Sequence, residues 1–241
     1  KFLIIINFMK IALALLIFGI VIISGCNQKV NNKDVNTNYY MKLQFKTSDN
    51  INIVGNYYDA DSDKNVILLH RLNVDKSSWD DFPLELRKNG FNVLAIDLRG
   101  HGQSDLNWNN FGAKEFNDIT KDVEAAATFM NSRHEGTFFI IGESVGANTA
   151  LNYALKNKAS KIVLLSPGLD YRGIKTDASS LNTDILFVVS KDDAYSYESV
   201  QKLYRQSKGK KELKVYDSAG HGAQMFVEKD LSSFIVDWLN K

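Results

Sequence analysis

Phe138-Phe139-Ile140-Ile141-Gly142-Glu143-Ser144-Val145-Gly146-Ala147 is the stretch that decides the fold. Its aromatic and β-branched run reads as a buried strand. The run stops at a Gly-x-Ser-x-Gly pattern, and Ala147–Leu155 then reads as a helix. Between a strand and a helix that pattern has a chemical meaning. The glycines permit a sharp turn, and the turn holds the serine oxygen above the sheet edge. Five residues alone are a weak signal. A reactive serine also needs a base, an acid that orients the base, and N–H donors for an oxyanion.

On either side of this stretch, strands alternate with helices. Met41–Thr47 alternates apolar and polar residues, as a half-buried strand does, and Ile51–Tyr58 reads as its hairpin partner. Val66–Leu69, Phe91–Leu98, Lys161–Leu165 and Asp184–Val189 are apolar enough for central strands, and Glu212–Tyr216 is a last one. Ser77–Lys88, Asn117–Arg133, Tyr197–Gln206 and Phe226–Leu239 read as helices. Leu231, Phe234, Ile235, Trp238 and Leu239 make a clear core face. This alternation predicts an α/β fold: a mostly parallel sheet of about eight strands, with helices on both faces. Ligands in such sheets sit at the carboxyl ends of the strands.

Composition narrows the function classes. The 241 residues suffice for one large domain, and 44% hydrophobic with 24% charged residues is ordinary for a globular protein. A net charge of +1 provides no basic field, so nucleic acid is not an expected partner. Two prolines and no repeats argue for a single domain over 41–241. The start of the chain differs. Ile11–Ile23 is an apolar run behind Lys10, of signal-peptide length and shorter than the roughly 20 residues of a membrane span. It leads into Ser24-Gly25-Cys26, and Cys26 is the only cysteine. Small residues before a lone cysteine resemble a bacterial lipoprotein cleavage site. The resemblance implies removal of 1–25, lipid on Cys26, and an extracytoplasmic protein held at a membrane. The Asn-rich stretch that follows, within 26–40, reads as a polar tether. An uncleaved anchor formed from Phe2–Phe8 and Ile11–Ile23 is the alternative.

The base and acid belong after strand ends, in the chain order Ser, Asp or Glu, His. Of four histidines, His221 follows the last strand in a flexible Gly220-His221-Gly222 loop and is the candidate base. His70 and His101 precede the serine, and His134 at a helix end reads as surface. For the acid, Asp193 leads, with Asp192 beside it and Asp170 after the preceding strand as competitors. Asp also favours turns and helix caps, which is the plain reading of each.

From about residue 41 to 241 the chain resembles the α/β-hydrolase superfamily. The matching stretches are Leu68-Leu69-His70, Asp97-Leu98-Arg99-Gly100-His101-Gly102-Gln103-Ser104, Gly142–Gly146, Ser190-Lys191-Asp192-Asp193 and Gly220-His221-Gly222. The resemblance implies Ser144 as nucleophile, Asp193 as acid and His221 as base, with oxyanion donors at the N–H groups of Val145 and Leu72. It also makes Arg99 and His101 scaffold residues. It implies cleavage of small-molecule carboxylic esters through an acyl-enzyme, with no metal and no organic cofactor. A peptidase or thioesterase on the same triad is the nearest alternative, and a catalytically inactive binding lipoprotein is another. One position departs from the pattern: Arg71 stands where glycine usually follows the histidine, and either restricts the loop or places a cation beside the acyl site. Only Ser166–Thr183 separate two strands between which many relatives carry a lid, implying little or no lid.

Overall fold

The computed structural model describes residues 39–241. The leader 1–25, Cys26 and nearly all of the tether lie outside the described residues. In chain order the elements are β1 (Met41–Lys46), β2 (Asn52–Tyr58), β3 (Lys64–Leu69), α1 (Phe82–Lys88), β4 (Asn92–Ile96), α2 (Ala113–Asn117), α3 (Thr120–Arg133) and β5 (Thr137–Glu143). There follow α4 (Val145–Ala154), β6 (Lys161–Leu165), β7 (Asp170–Tyr171), β8 (Ile174–Lys175), β9 (Asp184–Ser190), α5 (Ala194–Gln206), β10 (Lys211–Tyr216) and α6 (Leu231–Asn240).

Eight strands form one sheet in the order β1-β2-β4-β3-β5-β6-β9-β10. β1 and β2 pair antiparallel, as do β2 and β4, and the other pairings are parallel. Side chains alternate across a strand, so each central strand serves two cores. Ile67 and Leu69 face the core built with α3, α4 and α5, whereas Val66 and Leu68 face the one built with α1 and α6. That double burial explains why β3, β4, β5, β6 and β9 read as continuous apolar runs.

Three helices differ from expectation. Ser77–Lys88 is split into a 3₁₀ turn, Lys76–Trp79, and α1, with Asp80 at φ 45° between them. Pro83 lies in the first turn of α1, where its missing N–H costs nothing. Asn117–Arg133 is split into α2 and α3. Phe226–Leu239 is a 3₁₀ segment, Gly222–Val227, followed by α6. Between β6 and β9, where a lid would sit, the chain makes the short β7–β8 hairpin.

Candidate active site

β5 ends on Glu143, and Ser144 caps α4 at φ 55° and ψ −117°. A serine held in this glycine-favouring region costs about 1–3 kcal/mol, which the surroundings must offset. The Ser144 N–H donates to the Leu165 carbonyl at 2.9 Å, and the Ser144 carbonyl accepts from Asn148 N–H at 3.0 Å. The flanking glycines are required by packing. A Cβ at Gly142 would press into the Gly146 carbonyl, and one at Gly146 would press into the Leu69 and His70 carbonyls. The pattern is thus the close approach of strand end, helix start and β3 written in sequence.

His221 follows β10 in a loop whose glycines, Gly220 and Gly222, both have positive φ. Its Nδ1 lies 2.6 Å from Asp193 Oδ2. An ionised carboxylate can only accept, so Nδ1 carries the proton and the imidazole lone pair is at Nε2. Asp193 caps α5 and accepts from Ser196 N–H at 3.4 Å. Burial pushes its carboxyl up, but the hydrogen bonds from His221 and Ser196 outweigh this and hold it below the ordinary aspartate range. The competitors go elsewhere. Asp192 accepts from Ser190 Oγ, from Ser218 Oγ at 3.2 Å and from Gly220 N–H at 3.3 Å, so it braces the histidine loop. Asp170 is exposed and accepts from Gly173 N–H at 2.7 Å within the hairpin.

Val145 is the first residue of α4, and a helix's first N–H groups have no partner within the helix. Leu72 follows a loop set by His70. His70 Nε2 accepts from Leu98 N–H at 3.0 Å, so Nδ1 carries the proton and donates to the Arg71 carbonyl at 2.7 Å. Across a trans peptide the N–H points opposite to the carbonyl. His70 therefore fixes the direction of the Leu72 N–H. Burial pushes His70 down to about 4, against the pull of the Arg71 carbonyl. Its folded value lies below the unfolded 6.5, so between these the unfolded chain takes up a proton that the fold refuses. The stability from neutral His70 is complete above pH 6.5 and is lost as pH falls towards 4, by about 3 kcal/mol. Urea unfolding at pH 7.5 and 4.5 should show wild type losing more stability than His70→Gln. Equal losses would refute this.

Arg71 is not a free cation. Its Nη1 donates to Glu143 Oε2 at 3.0 Å, so the residue that departs from the pattern is paired with the residue before Ser144. Arg99 and Asp97, from the second matching stretch, are both held in ion pairs. Arg99 bridges Asp122 at 2.8 Å and Asp49 at 2.9 Å, and Asp97 is held by Lys76 Nζ at 2.6 Å. His101 Nδ1 donates to the Arg99 carbonyl at 3.1 Å, and its ring stacks on Trp108. His134 pairs with Asp59 at the surface.

Tyr171 went unforeseen. Its ring stands edge-on to His221 with centroids 6.2 Å apart, and its hydroxyl is 2.8 Å from Ser196 Oγ and donates to the Ser166 carbonyl at 3.3 Å. Burial pushes the phenol up to about 12, with hydrogen bonds from Ser196 and Ser144 pulling it back. It therefore lines the site as a neutral, aromatic wall. Its only sequence signal was the short gap between β6 and β9. Among the described residues no cluster of His, Cys, Asp and Glu is placed to hold a metal ion.

A family model described as serine aminopeptidase, S33, matches residues 60–174. The chain is 27% identical over 128 residues to the AB hydrolase superfamily protein YisY of Bacillus subtilis, covering 48% of this chain and 46% of that one. It is 28% identical over 173 residues to the protein YqkD of the same organism, covering 55% of this chain and 56% of that one. The chain thus spans about half the length of the curated relatives it matches. An esterase from Pyrococcus furiosus superposes with a TM-score of 0.71 at 21% identity, covering 83% of this chain and 90% of that one. An esterase from Exiguobacterium antarcticum does so with a TM-score of 0.70 at 14% identity, covering 83% and 100%.

Proposed function

We propose that this chain, an α/β-hydrolase by fold, is a serine hydrolase that cleaves small carboxylic esters through an acyl-enzyme. The observation that carries the reading is the 2.6 Å contact of His221 Nδ1 with Asp193, in a molecule whose Ser144 occupies the strained turn between β5 and α4. Ser144 Oγ attacks the ester carbonyl and gives its proton to His221 Nε2. The carbonyl oxygen becomes an oxyanion, received by the N–H groups of Val145 and Leu72. The tetrahedral intermediate collapses, the C–O bond to the alcohol breaks, and the alcohol leaves with the proton from His221. A water molecule, deprotonated by His221, then attacks the acyl carbon and releases the acid and free Ser144. Asp193 stays ionised throughout and stabilises the imidazolium.

The description of the matching family favours peptide cleavage as a second reading. One panel separates the two: p-nitrophenyl esters of increasing chain length, a thioester, and amino-terminally free peptide anilides. Turnover of the esters with kcat/KM at least about tenfold above the anilides is expected. Anilide cleavage without ester cleavage would overturn the ester reading.

A further inference from the structure

Glu143 occupies the variable position of the Gly-x-Ser-x-Gly turn, yet its side chain is fully buried. Three segments remote in sequence end on its carboxylate. Arg71 Nη1 donates to Oε2 at 3.0 Å, Ser78 Oγ to Oε1 at 3.0 Å, and Ala223 N–H to Oε2 at 2.6 Å. The fit around Oε2 is tight, because a Cβ at Gly222 would press into it. Two of these neighbours, Arg71 and Ala223, belong to segments with a part in the proposed chemistry. Arg71 precedes Leu72, Ala223 follows His221 by two residues, and Glu143 itself precedes Ser144.

We propose that Glu143, with Arg71 as its counter-charge, is the positioning residue that sets the oxyanion loop, the nucleophile and the histidine loop relative to one another. The proposal rests on the serine-hydrolase reading. A buried carboxylate is retained only where it is paired and hydrogen-bonded, and here Arg71 and Ala223 come from the two loops that carry Leu72 and His221, while Ser78 adds a third hydrogen bond. An apolar side chain of the same size would fill the space, but it would leave the Ala223 N–H and the Ser78 hydroxyl without an acceptor. Arg71 in place of glycine is then no defect of the oxyanion loop. Its guanidinium supplies the charge that lets Glu143 be buried, and the loop is drawn to the elbow by that pair.

The test compares wild type, Glu143→Ala and Glu143→Gln, with p-nitrophenyl butyrate turnover and amide hydrogen exchange as readouts. Glu143→Ala should lower kcat by about 100-fold while KM stays within about threefold, since a misplacement of about 1 Å costs that much. Gln keeps the volume. Its carbonyl can still accept from Arg71 and Ala223, and its NH₂ can donate to Ser78 Oγ. It should therefore recover kcat to within about tenfold of wild type. Exchange at the Ala223 amide should accelerate in Glu143→Ala and stay near wild type in Glu143→Gln, because its acceptor is lost in the first and kept in the second. A purely structural role would lower the melting temperature of Glu143→Ala and leave kcat of the folded protein unchanged, which overturns the proposal. So would a loss of kcat with wild-type exchange at Ala223. Should Glu143→Ala not fold, Arg71→Met replaces it, with the same expected loss of kcat and faster Ala223 exchange, since Glu143 then lacks its counter-charge. If the wild type turns over no ester, the ester reading fails, and amide exchange alone decides whether Glu143 ties the loops.

Discussion

Ser144→Ala is expected to lower kcat on p-nitrophenyl esters by about 10⁴- to 10⁶-fold and to abolish labelling by a fluorophosphonate. The serine sits at φ 55° between Gly142 and Gly146, and its N–H and carbonyl are already spent on Leu165 and Asn148. Only the hydroxyl is left for chemistry. Alanine keeps the Cβ, so the strained turn and the packing beneath it are unchanged, and the melting temperature should stay within a few degrees of wild type. The loss is then chemical. Residual turnover of a small fraction is expected from substrate binding and the N–H groups of Val145 and Leu72, which the substitution leaves in place. A Ser144→Ala protein that retains labelling or full turnover would remove Ser144 from the mechanism.

Asp193→Asn is the second large effect, a fall in kcat of about 10⁴-fold. The asparagine amide can offer an N–H to His221 Nδ1 where the carboxylate only accepted. The imidazole would then carry its proton on Nε2, the nitrogen that must receive the Ser144 proton. Size and packing are nearly unchanged, so the effect isolates the tautomer. Asp192→Asn makes the contrast. Asp192 braces Gly220 and Ser218 but does not touch the imidazole, so a loss within about tenfold is expected, the worth of a hydrogen bond. Were Asp192→Asn or Asp170→Asn the more damaging, the acid would have to be reassigned. The pH dependence follows with the same sign. The folded Asp193 carboxyl lies below its unfolded value of 3.8, so its pairing with His221 is complete above that value and is lost only as pH falls through the lower one. Wild type should thus keep an ionised Asp193 in acid that already protonates ordinary aspartates.

Much of this molecule was legible because its signals are local. Val66–Leu69 and Phe138–Ile141 are buried on both faces of a parallel sheet, and that environment leaves uninterrupted apolar runs that any reading of the sequence meets. The expected eight-stranded, mostly parallel sheet with helices on both faces is the one observed. The Gly142–Gly146 turn was legible for the same reason, since its glycines answer contacts within a few residues and with the neighbouring strand. Helix boundaries were less so. Ser77–Lys88, read as one helix with Pro83 a possible irregularity in its early part, breaks just before that proline, and Gly222–Val227 forms its own 3₁₀ segment before α6.

By itself, then, the sequence determined the layered α/β architecture and the chemical types available at the strand ends: a serine in a glycine-flanked turn, a histidine in a glycine-flanked loop and three aspartates that could serve it. Which of these side chains meet is visible only in the tertiary structure. Asp192 and Asp193 are neighbours of the same type, and what separates them is the direction each side chain takes as β9 ends, one towards the backbone of the histidine loop and one towards its imidazole. Tyr171 came to His221 through a hairpin too short to leave a pattern. Arg71, read alone as a departure from a glycine, met Glu143 across 72 positions of sequence. Periodicity records which face of an element is buried. It carries no record of which side chains meet once distant loops converge at one edge of a sheet.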